Sequence, residues 1–235
     1  MTRRRSTATA LLASAALLLT AGCGGAQRDD QRTAPTAVGS AGLDAAAQAE
    51  SALPRPSDFP AGWKAQGESA VETDVTVAAG NGCLPQYTAE AVATTPIFVD
   101  YASRRTMRWT IVVLPGEADA RKAMRAFDSA EARRCVMRRD VEQLRAAAPE
   151  GTAVGTPRER TVEPPALGDE RVVQASVSAV SMPTHTARKH DDTVAIRVGS
   201  AIVFAIFIGS EPPSEQEPAP RLLALTVERL RAATR

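Results

Sequence analysis

From Thr193 to Val198 apolar and polar positions alternate, with Val194, Ile196 and Val198 on one side; after Gly199-Ser200 the chain runs unbroken through apolar residues from Ala201 to Ile208. A two-residue Gly-Ser turn between such segments predicts a β-hairpin. The second arm is rich in β-branched and aromatic residues and is too short to span a bilayer, which takes about 20 apolar residues in a helix. Being apolar on both faces, it is predicted to lie in the middle of a sheet, covered on both sides or by a partner. Arg171 to Val180 and Met107 to Leu114 read as further strands, Val154 to Val162 as a weaker one, and Gly168-Asp169 as the turn before Arg171.

Helical periodicity begins at Glu117, where acids suit a helix N-terminus and Ala120, Ala123, Met124, Phe127 and Ala130 fall on one side. The apolar face then shifts to Met137, Val141, Leu144 and Ala148, which predicts a break near Cys135 and a second helix. Leu84 to Ala93 reads as a short helix. Ala219 to Ala233 reads as the last one, opening with Pro218 and Pro220 and carrying Leu222, Leu223, Leu225, Val227 and Leu230. Strands and helices come in separate runs, so the expected class is α+β: an antiparallel β-sheet packed by α-helices in a two-layer sandwich.

The N-terminus has a different pattern. Arg3, Arg4 and Arg5 precede an apolar stretch from Ala8 to Leu19, and small residues lead to Cys23 in Leu19-Thr20-Ala21-Gly22-Cys23. This is the layout of a lipoprotein signal peptide, residues 1–22, with Cys23 as the lipidated residue. The stretch is short for a spanning helix and is interrupted by Thr7, Thr9 and Ser14. Acyl chains on Cys23 would hold the protein at a membrane, each buried methylene contributing about 0.8 kcal/mol. Residues 23–52, with Gly24, Gly25, Asp29, Asp30, Pro35, Gly39 and many alanines but no aromatic, read as a flexible tether, although Ala45 to Ala52 after Asp44 has some helical character. The folded domain is expected over residues 53–235.

Of the three cysteines, Cys83 and Cys135 remain after Cys23. In an exported protein they are predicted to pair, and a disulfide closing so long a loop stabilises by on the order of 4 kcal/mol in the chain-entropy model. Two separately buried thiols are the alternative. Zinc takes about four ligands, and only His185 and His190 are left to complete such a set, so no metal or cofactor site is expected.

Of 28 Lys and Arg, three lie in the signal, leaving 25 against 27 Asp and Glu, and aromatics make up 4% of the chain. Nucleic-acid modules need a clustered basic surface with stacking aromatics, so that class is excluded as a partner. The densest basic patch, Arg133, Arg134, Arg138 and Arg139, is flanked by Asp128, Glu131, Asp140 and Glu142 and reads as a solvated helix face. His185, His190, Asp191 and Asp192 fall in the polar stretch Thr184 to Asp192, read as a loop, and Asp100-Tyr101 with Arg104-Arg105 as an exposed turn. Trp63 and Trp109 are expected in the core. No Gly-x-Ser-x-Gly elbow, Ser-x-x-Lys or phosphate loop occurs, so no catalytic residue is assigned.

The order of short motifs resembles the extracellular sensor domains of the actinobacterial Ser/Thr kinase PknH and their stand-alone lipoprotein relatives. It is carried by Phe59-Pro60-Ala61-Gly62-Trp63, a strand and then a helix ending at Cys135, Gly168-Asp169-Glu170 before a strand, Arg197-Val198-Gly199-Ser200 before the last strand, and a C-terminal helix. The resemblance implies a helix-packed antiparallel sheet with a cleft that binds an unidentified ligand. It departs in having one cysteine pair where the kinase domain has two, and it transfers no binding residue.

Together these readings describe a non-enzymatic binding or sensor domain, lipid-anchored on the outer side of the cell membrane, whose ligand is an envelope lipid, glycan or protein. A cell-envelope hydrolase with a dispersed active site and a structural partner in an envelope complex are the alternatives. Cys23→Ser is expected to leave unprocessed or soluble protein, as measured by membrane partitioning and intact mass; unchanged partitioning and mass would contradict the anchor.

Overall fold

The computed structural model describes residues 40–77 and 82–234; the signal, Cys23 and the tether up to residue 39 lie outside the described residues. In chain order come helix α1 (Ser40–Ala52), strands β1 (Lys64–Gln66), β2 (Ala70–Val77), β3 (Tyr87–Thr94), β4 (Ile97–Asp100) and β5 (Arg105–Val113), then helices α2 (Glu117–Phe127) and α3 (Ala130–Ala147). Strands β6 (Ala153–Val154), β7 (Arg158–Arg160), β8 (Glu170–Met182), β9 (His185–Val198) and β10 (Ala201–Gly209) follow, then helix α4 (Ala219–Ala233).

Strand β10 occupies the centre that its two-sided apolarity requires. Ala205 pairs with Trp109 of β5 on one side and with Val194 of β9 on the other. Outside β9 lies β8, whose far edge is paired by the short β6 and β7. Outside β5, β4 pairs its first residues and β3 its last, with β1 and β2 beyond them. All pairings are antiparallel and join ten strands among the described residues into one sheet, so the chain builds the expected α+β architecture.

Helices lie against both faces of this sheet. On the first face α1 and α4 bury Ala49, Ala52, Leu222, Leu223 and Leu230 against Trp109, Ile111, Ile196, Val203 and Phe207. On the second, α2 buries Ala120, Ala123, Met124 and Phe127 against Val112, Ala195 and Ile202. The turn at Gly168 is tight: its φ is +70°, and a Cβ there would stand 2.4 Å from Ile196 Cγ2 and 2.5 Å from the Arg197 carbonyl oxygen. Only glycine fits that approach.

Four expectations change. The folded region starts well before residue 53, because α1 spans residues read as tether and buries Ala45, Ala49 and Ala52, with Asp44 inside the helix and not at its cap. Alanine offers little area per residue, yet a row of alanines lets a helix lie close on a sheet. Leu84 to Ala93 is not helical. Its alanines, Ala89, Ala91 and Ala93, are buried at every second position of β3, so strand pairing overrides alanine's helix propensity.

The break between α2 and α3 falls at Asp128–Ser129 and not near Cys135: the Ser129 hydroxyl accepts a hydrogen bond from the Ala132 N–H and starts a new helix. Finally, His185 to Asp192 is the first half of β9 and not a loop; only Pro183-Thr184 turns, with Met182 opposite His185. Its charged residues are tolerated in a strand because Arg160 and Ser214 satisfy Asp192 and because Lys189 pairs with Asp191 two positions on. Ala49→Glu is expected to cost about 3 kcal/mol or more in denaturant unfolding, since a charge would enter the α1–sheet contact, whereas Ala47→Glu on the exposed side stays within about 0.5 kcal/mol.

Candidate functional site: a polar cleft under α3

Helix α3 presents Arg133, Val136, Met137 and Asp140, at i, i+3, i+4 and i+7, to one side. Beneath them, on the second face of the sheet, Gln174 and Ser176 of β8 stand opposite Thr193 and Asp191 of β9. A helix and a sheet normally meet through apolar side chains. Here both surfaces carry polar groups, and the space between them is a narrow cleft with about 20 Å³ of free volume, lined also by Glu159 of β7. The disulfide joining Cys83 to Cys135, with Cα atoms 5.6 Å apart, ties the N-terminal half of α3 to the segment before β3.

Most charges in the cleft are paired. Arg133 bonds Asp128 and, at 3.2 Å, Glu159; Lys189 bonds Asp191. Asp140 has no ion pair or hydrogen bond among the described residues, and burial, followed by the nearby Asp191 carboxylate, pushes its pKa up to about 6 against the pull of Lys189. Gln174, 9% exposed, donates its Nε2–H to the Phe127 carbonyl, while its Oε1 is buried without a partner. Arg133 Nε is likewise buried and unpartnered. The cleft therefore offers unsatisfied hydrogen-bonding groups beside two apolar side chains.

On the first face, alternation along β9 sends His190 and Asp192 away from Lys189 and Asp191. The Asp192 side chain is fully buried; it accepts from Arg160 of β7 at 2.8 and 3.0 Å and from the Ser214 hydroxyl at 2.6 Å. Arg160 also reaches Glu215 at 3.2 Å, so this cluster staples β7 and the segment before α4 to the sheet. His190 Nδ1 is buried without a partner, and desolvation together with the Arg160 charge holds its pKa below the ordinary value. The Ser214 hydroxyl is directed at Asp192 and not at His190, so the serine-to-imidazole bond of an acyl-transfer site is not made.

The other residues singled out in the sequence are dispersed. His185 is exposed at the hairpin turn, and among the described residues no group of three or more His, Cys, Asp or Glu is placed to hold a metal ion. Trp109 is fully buried, and Trp63 is half-buried beside Phe59, which stacks on Phe98 at 3.9 Å between ring centres. Arg105 stands 5.4 Å over the Trp63 ring and bonds Asp100. In the basic patch Arg134, Arg138 and Arg139 face solvent as expected, but Arg133 turns into the cleft. The two glycine motifs meet: Asp169 accepts from the Gly199 N–H at 2.8 Å and from Arg197, which also pairs with Glu170.

No protein-family model matches the chain, and no curated protein matches it. Among solved structures, the crystal structure of the extracellular domain of PknH from Mycobacterium tuberculosis is similar, with a TM-score of 0.39 and 8% identity over 77% of this chain and 93% of that one. A likeness of that strength defines neither the fold nor the activity of this chain, whose own class is an α+β domain with a polar cleft roofed by a helix.

Sequence reasoning took Asp140 only as a flanking acid and passed over Gln174 and Ser176. Two signals were available: the i, i+3, i+4, i+7 placement of Arg133 and Asp140 around two apolar residues, and the polar alternation Gln174, Ser176, Ser178 within the otherwise apolar run from Val172 to Val180. The Asp140 pKa lies above its unfolded value of 3.8, so the folded state holds the proton more tightly. Its penalty is absent below about pH 4, grows as pH rises through about 6, and is complete at pH 7.5. Asp140→Asn is therefore expected to stabilise by about 1–3 kcal/mol at pH 7.5 and by little at pH 4, measured as thermal midpoints at both pH values.

Proposed function

We propose that the protein is a lipid-anchored, extracytoplasmic, non-enzymatic binding domain whose ligand sits between α3 and strands β8 and β9. The observation that carries this reading is the polar cleft itself. Evolution fills a helix–sheet contact with apolar residues when stability is its only role, and buried groups left unsatisfied, such as Gln174 Oε1, cost about 1–3 kcal/mol each unless a ligand meets them. The address is supported by Leu19-Thr20-Ala21-Gly22-Cys23 after a basic and apolar N-terminus. A single disulfide-tied domain suits an oxidising compartment. The non-enzymatic reading is supported by the Ser214 hydroxyl bonding Asp192, which Arg160 already neutralises, and not the His190 imidazole.

Residues 24–235, oxidised, are expected to unfold at a higher temperature in one soluble or lipid fraction of a bacterial envelope. Ligand at about 100 times its dissociation constant adds about 2.7 kcal/mol. Met137→Trp, which fills the cleft from the helix side, is expected to abolish the shift. A shift of the same size in Met137→Trp would move the site elsewhere, and no shift in any fraction would remove the small-ligand reading.

A further inference from the structure

We infer that the ligand of this cleft, given the binding role proposed above, is a small organic ammonium ion held by the carboxylate of Asp140 beside Asp191 and by the Gln174 side-chain carbonyl.

The inventory of the cleft favours a donor of hydrogen bonds carrying positive charge. Its carboxylates are Asp140, Asp191 and Glu159; its cations are Arg133 and, alongside Asp191, Lys189. Arg133 is already neutralised by Asp128 and Glu159, and Lys189 by Asp191. An anion entering the cleft would meet Asp140 and Asp191 with both cations already occupied. An ammonium ion meets an unpaired carboxylate and an unpartnered amide oxygen on a residue that is 9% exposed. Both are acceptors, and an ammonium group has three donors. The remaining unpartnered group, Arg133 Nε, is a donor and suits a hydroxyl or carbonyl oxygen carried by the same ligand.

A metal ion fits less well, because among the described residues no three carboxylate or imidazole groups converge there and a hard cation asks for about six or more oxygens. Val136 and Met137 supply an apolar wall for the carbon skeleton. The free volume of about 20 Å³ exceeds the roughly 10–15 Å³ that one water needs and suits a single ammonium group, with the rest of an amino alcohol, short diamine, amino sugar or aminated lipid headgroup standing at the open mouth.

Ionisation sets the pH dependence. The groups facing Asp140 are Asp191 and Lys189 of β9, Glu159 of β7 and Arg133 of its own helix. Its carboxyl must lose a proton to bind a cation, so with a pKa of about 6 the affinity is expected to rise about tenfold between pH 5 and pH 7.5.

The test is calorimetric titration of oxidised residues 24–235 with ethanolamine, putrescine and glucosamine, against ethylene glycol, 1,4-butanediol, glucose and glycolate. At least one amine is expected to bind saturably, tighter at pH 7.5 than at pH 5, its neutral counterpart at least tenfold more weakly, and Asp140→Asn to lower amine affinity at least tenfold. Cosedimentation with phosphatidylcholine vesicles, with and without phosphatidylethanolamine, separates the sources: retention that requires phosphatidylethanolamine assigns a headgroup, and amine binding without retention assigns a free amine. Equal binding of the neutral compounds, preference for glycolate, or no binding of any amine or vesicle would overturn the inference. If an envelope fraction still stabilises the protein, and Met137→Trp abolishes that effect while every amine and vesicle fails, the ammonium assignment falls and the binding cleft stands. If the fractions fail as well, both fall.

Discussion

The structure depends on a single strand that is apolar on both sides. β10 places Ala201, Val203, Ala205 and Phe207 on one face of the sheet and Ile202 and Phe204 on the other, where Phe204 meets Phe127 edge-on at 5.5 Å between ring centres. Such a strand is stable only at the centre of a sheet covered on both sides. That requirement places β5 and β9 beside it, sets α1 and α4 over one face and α2 over the other, and makes the helices at both ends of the folded region part of one core. The alanine-rich α1 takes part because it is thin: Ala49 and Ala52 are fully buried where larger side chains would hold the helix off.

The second face does not stay apolar along its whole width. From β10 outward to β9 and β8 it changes from Ile202 and Ala195 to Thr193, Asp191, Gln174 and Ser176. α2 covers the apolar part. α3, restarted by the Ser129 cap and fixed by the Cys83–Cys135 disulfide, lies over the polar part, where its own Arg133 and Asp140 cannot be packed dry. A cleft results from this mismatch. The first face resolves similar polarity differently: Asp192 is enclosed by Arg160 and Ser214, so the charge is satisfied within the protein. Two polar regions on opposite faces of the same strands thus end as a structural staple and as an open site.

How much of this was legible follows from the strength of local periodicity. The β9–β10 turn, the body of α2 and α4 carry large apolar side chains at regular spacing, and their sequence and structure agree closely. β3 and α1 were misread because alanine fills both: it is a good helix former by propensity, but in β3 its every-second-residue placement was the deciding signal, and in α1 burial against the sheet supplied what composition lacked. The polar half of β9 looked like a loop because the partners that make it a strand are remote in sequence, Arg160 lying 32 residues from Asp192. The cleft was hidden for the same reason, since it exists only where Asp140 of a helix meets Gln174 and Asp191 of two strands. The glycine motifs, weak as local signals, converge as a corner in which Asp169 joins Arg197 and Gly199.

The central claim is that the space beneath α3 is where this protein meets its ligand, and amide hydrogen exchange on the oxidised protein, with and without the soluble fraction of a bacterial envelope, tests it most directly. α3 packs over a polar surface and buries only Ala132 and Val141, so it should exchange faster than α2 and α4 in the free protein. On addition of the fraction the account predicts new protection over Ala130–Ala147, with α4 unchanged. Protection confined to the open groove of Leu167, Ala224, Val227 and Arg231, or an α3 that is as protected as α2 from the start and does not respond, would contradict it.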